Sequence, residues 1–136
     1  MTRMIGMIAT LLFLHIHVNS TAQNADNRYF EMRTYTCHPE KRPDLIKRFQ
    51  DHTLRLLKKH GMKNVVYWES VEKDGNQPKL IYLLSHSSEA AAKASFDAFR
   101  IDPEWIKAST NSELDGKIVQ KVESVFLKPL PFSPLK

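Results

Sequence analysis

Lys63 to His86 reads KNVVYWESVEKDGNQPKLIYLLSH, and the fold turns on how this stretch is divided. Two runs rich in β-branched and aromatic residues, Lys63 to Val71 and Lys79 to His86, flank the polar segment Lys73-Asp74-Gly75-Asn76. An Asp-Gly pair between apolar runs is a strong short-range hairpin signal, because both residue types tolerate the positive φ of a tight turn. The stretch predicts two antiparallel strands. Upstream, Pro43 to His60 has helical periodicity: at about 100° per residue, Leu45, Ile46, Phe49, Thr53, Leu56 and Leu57 share one face. Pro43 suits a first helical turn, Asp44 complements the helix dipole there, and Gly61 suits the stop. Before this helix, Tyr29 to Cys37 (YFEMRTYTC) alternates as a strand, with Phe30, Met32 and Thr34 on one side and Glu31, Arg33 and Tyr35 on the other. His38-Pro39 ends it. Downstream of the hairpin, Ser87 or Ser88 caps a second helix, with Glu89 in its first turn and Ala94, Phe96, Ala98 and Phe99 on its apolar side. Asp102-Pro103-Glu104 opens a short helix around Trp105 and Ile106, Asp115-Gly116 turns the chain, and Lys117 to Lys128 alternates as the last strand. The order β-α-β-β-α-β predicts an α+β, ferredoxin-like fold: a four-stranded antiparallel sheet with its helices on one face.

Composition bounds the remainder. The chain has 136 residues, 20 Lys and Arg against 15 Asp and Glu, and 42% hydrophobic residues, which suits one globular domain. The basic pairs Lys41-Arg42, Lys47-Arg48 and Lys58-Lys59 lie on or just before the first helix without interleaved aromatics, so they read as a solvated face and no nucleic-acid partner is expected. A single cysteine, Cys37, excludes an intramolecular disulfide framework and reads as a small buried hydrophobe. Residues 1–22 carry a short basic start, an apolar run from Met4 to Leu14, and small residues Ser20 and Ala22 at the positions a signal peptidase reads. His15, His17 and Asn19 interrupt that run well short of the roughly 18 apolar residues a membrane span needs. The expectation is export to the periplasm or medium after cleavage behind Ala22, with no membrane association afterwards. A linker at 23–28, a domain at 29–130 and a Pro-rich tail at 131–136 complete the organisation.

Helices on one side of a sheet bury only that side. The other face is expected to carry Glu31, Arg33 and Tyr35 beside Tyr67 and Glu69 or Trp68, Tyr82 or Leu83, and Lys121 and Glu123 or Val122. Such a face is too apolar to stay bare and too charged for a plain core, so a second copy packed against it, a homodimer, is expected.

Tyr29-Phe30-Glu31-Met32-Arg33-Thr34-Tyr35-Thr36 resembles the opening strand of NIPSNAP family proteins, members of the dimeric α/β-barrel superfamily. The resemblance continues through His52-Thr53-Leu54, His60-Gly61-Met62, Tyr67-Trp68, Tyr82-Leu83-Leu84, Phe99 to Trp105, Lys121 to Ser124 and the tail Pro131 to Pro134, spanning nearly all of the mature chain. It implies a homodimeric barrel with a cavity between sheet and helices, and no settled activity. Similar barrels act as cofactor-independent monooxygenases, isomerases, dehydratases or haem-degrading enzymes, an analogy at the level of fold alone.

His52 and His60 are the sharpest chemical candidates. With Leu45 at 0°, helical rotation places His60 near about 60°, inside the apolar arc, and His52 near about −20°, at its edge. A neutral imidazole there suits a general base or a ligand acceptor, against the blander reading of a histidine satisfied by a backbone carbonyl. Eight residues, about 12 Å of rise, separate them, too far to share one metal ion. Arg33 and Tyr35 form the second constellation: the guanidinium suits a carboxylate and the phenol an enolate or phenolate oxygen. The competing reading is a buried charge network of Arg33 with Glu31, Glu69 or Glu123. His52, Arg33 and Tyr35 are thus the candidate catalytic residues, and Tyr67, Trp68, Tyr82, His60 and Trp105 the candidate ligand-binding ones. His86, closing the third strand, is expected to be solvated. No metal-binding spacing, phosphate loop or nucleophile elbow occurs, and no cofactor is expected. Three readings stand: a dimer binding a small organic molecule, a cofactor-independent oxidoreductase or isomerase acting through His52, Arg33 and Tyr35, and a structural or interaction module with a filled barrel.

Overall fold

The computed structural model describes residues 28–71, 73 and 76–135; the expected signal peptide and the Asp74-Gly75 turn lie outside these. The strands are β1 (Tyr29–Cys37), β2 (Lys63–Glu69), β3 (Lys79–His86) and β4 (Val119–Leu127). The helices are α1 (Arg42–Arg48), α2 (Leu54–Lys59), α3 (Glu89–Arg100) and α4 (Pro103–Ser112). The sheet order is β2-β3-β1-β4, all pairs antiparallel, so β1 and β3 are the inner strands. This is the expected βαββαβ arrangement.

Local chemistry sets the boundaries. The Ser88 hydroxyl caps α3 by accepting from the Ala91 N–H at 3.0 Å, and Asp102 caps α4 by accepting from the Glu104 N–H at 2.9 Å. Gly61 adopts φ 78°, the left-handed conformation that ends α2 without a Cβ penalty. The helix expected over Pro43 to His60 is interrupted. Between α1 and α2, Phe49–Thr53 forms a π turn in which the Leu54 N–H donates to the Phe49 carbonyl. Thr53 also bonds the Arg48 carbonyl through its hydroxyl at 3.2 Å. A wide turn rotates each residue less than an α-helix does, so the 100° projection fails across it.

The core lies between the sheet and the helices: Leu45, Phe49, Leu56 and Leu57 from the first helical segment and Phe96 and Phe99 from α3 pack on Cys37, Leu80, Tyr82, Leu84 and Ile118. Cys37 is fully buried, as expected, and its thiol donates to the Pro78 carbonyl.

The strand faces are the reverse of the sequence expectation. Strand register places Glu31, Arg33 and Tyr35 on the helix-covered side together with Leu84, Tyr82 and Leu80 of β3 and Phe126, Ser124 and Val122 of β4. The side away from the helices carries Phe30, Met32 and Thr34, opposite Ser85, Leu83 and Ile81, and opposite Leu127, Val125 and Glu123. Apolarity alone favours Phe30 and Met32 for the helix side. That preference loses because Phe30 and Leu83 have another cover: they share an apolar groove with Leu130, Phe132 and Leu135 of the C-terminal tail. Beyond the tail this face exposes Trp68 by 50% and Val125 by 49%, beside a Lys121–Glu123 ion pair of 2.8 Å. Among the described residues no helix is long and apolar enough to cross a membrane.

Candidate functional site

β1 runs through the middle of the sheet, so alternate residues from it stand under the helices at the centre of the domain. Glu31 is the hub. One carboxylate oxygen accepts from Arg33 Nη1 at 2.6 Å and from the Ser124 hydroxyl at 2.6 Å, and the other faces His86 Nε2 at 3.0 Å. Burial pushes the Glu31 carboxyl up, but His86, Ser124 and Arg33 outweigh it and hold it at about 2. His86, expected in solvent, is buried between Phe96 and Phe126. Its place at the end of an inner strand, opposite Tyr29 and on the same face as Glu31, explains the difference.

Arg33 extends the network. Its Nε donates to the Tyr82 hydroxyl at 3.0 Å, and the Tyr82 hydroxyl donates to that of Tyr35 at 3.2 Å. The guanidinium lies over the Phe96 ring, 4.3 Å from its centroid, and 5.8 Å from that of Tyr35. Burial alone would lower the Arg33 pKa, but Tyr82, Tyr35 and Glu31 raise it, so the cation is permanent. Burial likewise raises the phenols of Tyr82 and Tyr67, which stay neutral. The charge network weighed from sequence is therefore present and has Glu31 as its acid; Glu69 instead pairs with Arg42, and Glu123 with Lys121.

A cavity of about 590 Å³ opens beside this network, between α3 and the helix-side face of β1 and β4. Glu31 and Arg33 form its polar floor, Phe96 and Phe126 its apolar walls, and Ala90 and Ala92 leave space along α3. Exposed Glu89, Lys93 and Arg100 stand at its rim. The volume falls within the usual range for small-molecule sites.

The other sequence candidates divide. Tyr82 is fully buried and stacks on Tyr67, 5.3 Å between centroids at 11°, and Tyr35 packs edge-on to Tyr82 and Phe49. Tyr67 donates to Asn64 Oδ1 at 2.7 Å. These three tyrosines back the Arg33 floor from within the core and lie outside the cavity lining. Trp68 stands on the far side of the sheet, because it follows Tyr67 by one residue. Trp105 belongs to the α4 packing, 4.5 Å from Phe99 and 5.4 Å from the Arg48 guanidinium. His60 turns to Asp102 at 2.7 Å and edge-on to Phe99, joining the end of α2 to the start of α4. Its partner is a carboxylate rather than the backbone carbonyl weighed from sequence. His52 was expected to face the sheet or its rim; the π turn swings it out to solvent, where it lines a separate cleft of about 290 Å³ with Arg48, Asn111 and Ser112.

Arg33, Tyr35, Tyr82 and Tyr67 are thus brought together, and His52, His60, Trp68 and Trp105 are not. Sequence reasoning missed Ser124, His86, Phe96 and Phe126 at this site. Phe96 and Arg100, four residues apart on α3, are a visible helical pair; the others become neighbours of Glu31 only through strand register. Among the described residues, no group of three or more His, Cys, Asp or Glu side chains is placed to hold a metal ion.

Residues 30–134 match the family described as NIPSNAP. None of the curated proteins matches the chain. Among solved structures, a NIPSNAP family protein of unknown function from Agrobacterium tumefaciens is 23% identical with a TM-score of 0.69, over 82% of this chain and 96% of that one. An uncharacterised NIPSNAP domain protein from Burkholderia xenovorans is 24% identical with a TM-score of 0.64, over 78% of this chain and 98% of that one. A cofactor-independent oxygenase from Streptomyces nogalater is 12% identical with a TM-score of 0.51, over 79% and 98% respectively. At these identities the likeness is one of fold.

Proposed function

We propose, for a chain that belongs to the NIPSNAP family, that it is an exported homodimeric protein binding a small organic molecule in the cavity beneath α3. The observation that carries this reading is the cavity itself: about 590 Å³, with apolar walls and one half-buried permanent cation in its floor. A structural module with a filled interior needs no such space. Binding rather than turnover is the role the floor suits. A general base works best with a pKa near the working pH, and Glu31, at about 2 with three donors on it, stays ionised and occupied. His52, the base expected from sequence for a cofactor-independent oxygenase or isomerase, lines a different cleft.

The dimer is supported by the face away from the helices, where Met32, Ile81, Trp68 and Val125 form an apolar surface broken by the Lys121–Glu123 pair. Export rests on the pattern of residues 1–22. Native mass spectrometry of the protein purified from its secreting host tests all three parts together. The expected species is a dimer of chains beginning at Gln23 that carries added organic mass. A lone protomer overturns the dimer, a chain beginning at Met1 overturns export, and a species without added mass that takes up none of 2-naphthoate, 2-naphthamide and octanoate overturns the binding role.

A further inference from the structure

Resting on the cavity reading above, we infer that the ligand is a flat aromatic acid in its anionic form, a carboxylate or the equivalent phenolate or enolate, lying in the slot between Phe126 and the alanine edge of α3 with its charged oxygen on Arg33. The guanidinium has five N–H donors in a planar fork. Nε is taken by Tyr82 and one Nη1 proton by Glu31, while Nη2 has no hydrogen-bond partner among the described residues. The open end of the fork, the second Nη1 proton with Nη2, belongs to a residue that lines the cavity. A paired oxygen acceptor satisfies both donors at once, and the Arg33 side chain is only 13% exposed, so that bond is made where water screens little.

The charge of the ligand follows from what surrounds the fork. Lys93, Arg100 and Arg33 line the cavity against Glu31 and Glu89, and Glu31 already holds Arg33, Ser124 and His86. A cationic ligand meets no free acid at the floor. The shape follows from the lining: Phe96 backs the Arg33 guanidinium in the floor, Phe126 keeps 39% of its surface exposed as the wall, and Ala90 and Ala92 line α3 where longer side chains would close the slot. An exposed ring wall facing an alanine edge suits a planar body over a flexible chain.

Calorimetric titration of the purified protein with 2-naphthoate, 2-naphthamide and octanoate tests this. 2-Naphthoate is expected to bind at least tenfold more tightly than either of the others, since a charge-assisted fork outweighs a neutral contact. Arg33→Lys, which keeps the charge and loses the planar fork, is expected to weaken 2-naphthoate binding at least tenfold and 2-naphthamide binding far less. Ala90→Leu, at an exposed helix position that leaves the network intact, is expected to abolish binding by filling the slot. Equal affinity for acid and amide overturns the anionic class and leaves the cavity reading standing; equal affinity for octanoate overturns the aromatic body in the same way. If none of the three binds, or if Ala90→Leu binds as the parent does, the cavity reading falls with the ligand class.

Discussion

Replacing Glu31 by Gln tests the hub of the site. The carboxyl sits at about 2 in the folded chain against an ordinary value of 4.5, so its ionised form contributes about 3 kcal/mol to folding at neutral pH. The sign follows from the lowered pKa: the contribution is complete above the unfolded value and is lost as pH falls through the folded one. About 2 kcal/mol of it is gone by pH 3. Gln keeps the shape and one acceptor but leaves the largely buried Arg33 cation without its counter-charge, a change that for a buried pair typically costs about 3–5 kcal/mol. Urea unfolding of parent and Glu31→Gln at equal protein concentration, at pH 7 and pH 3, measures this. The difference between the two proteins is expected to be about 3 kcal/mol or more at pH 7 and to shrink by about 2 kcal/mol at pH 3. Taking the difference removes the common loss from other carboxylates. A gap that stays constant between the two pH values, or a variant as stable as the parent at pH 7, refutes the account of Glu31 as an ionised hub.

Tyr82→Phe removes the hydroxyl that accepts from Arg33 and donates to Tyr35, and is expected to cost about 1–2 kcal/mol in urea unfolding with the native circular-dichroism spectrum retained. Asp102→Asn removes an acid whose pKa Lys59 and His60 hold well below the usual carboxylate range; it should lower the thermal midpoint more than Glu104→Gln, because Glu104 makes only exposed pairs with Arg55 and Lys59. Val125→Glu places a charge on the open sheet face, on the edge strand β4 opposite Met32, and is expected to convert the proposed dimer to a folded protomer in sedimentation velocity; a persistent dimer places the interface elsewhere.

The candidate site was legible in the sequence only in part. Arg33, Glu31 and Tyr35 stand two apart on one strand, and alternation alone makes them neighbours. Their link to Tyr82 and Ser124 depends on register, which nothing local to β3 or β4 encodes. His52 fails for a different reason. The apolar periodicity of Pro43 to His60 is continuous through Phe49 and Thr53, so the π turn leaves no gap in it. Its hydrogen bonds shift by one residue while Phe49 and Thr53 stay buried.

By itself the sequence determined the order of strands and helices, because caps, Gly61 and apolar spacing act over a few residues and need no distant partner. Which face of β1 lies under the helices was decided only in three dimensions. Both faces carry residues fit for burial, and the choice rests on partners far along the chain: Ser124, His86 and Tyr82 satisfy the charges on one side, and the tail covers Phe30 on the other. A buried charge is tolerated only where its bonds close, and that closure belongs to the folded sheet.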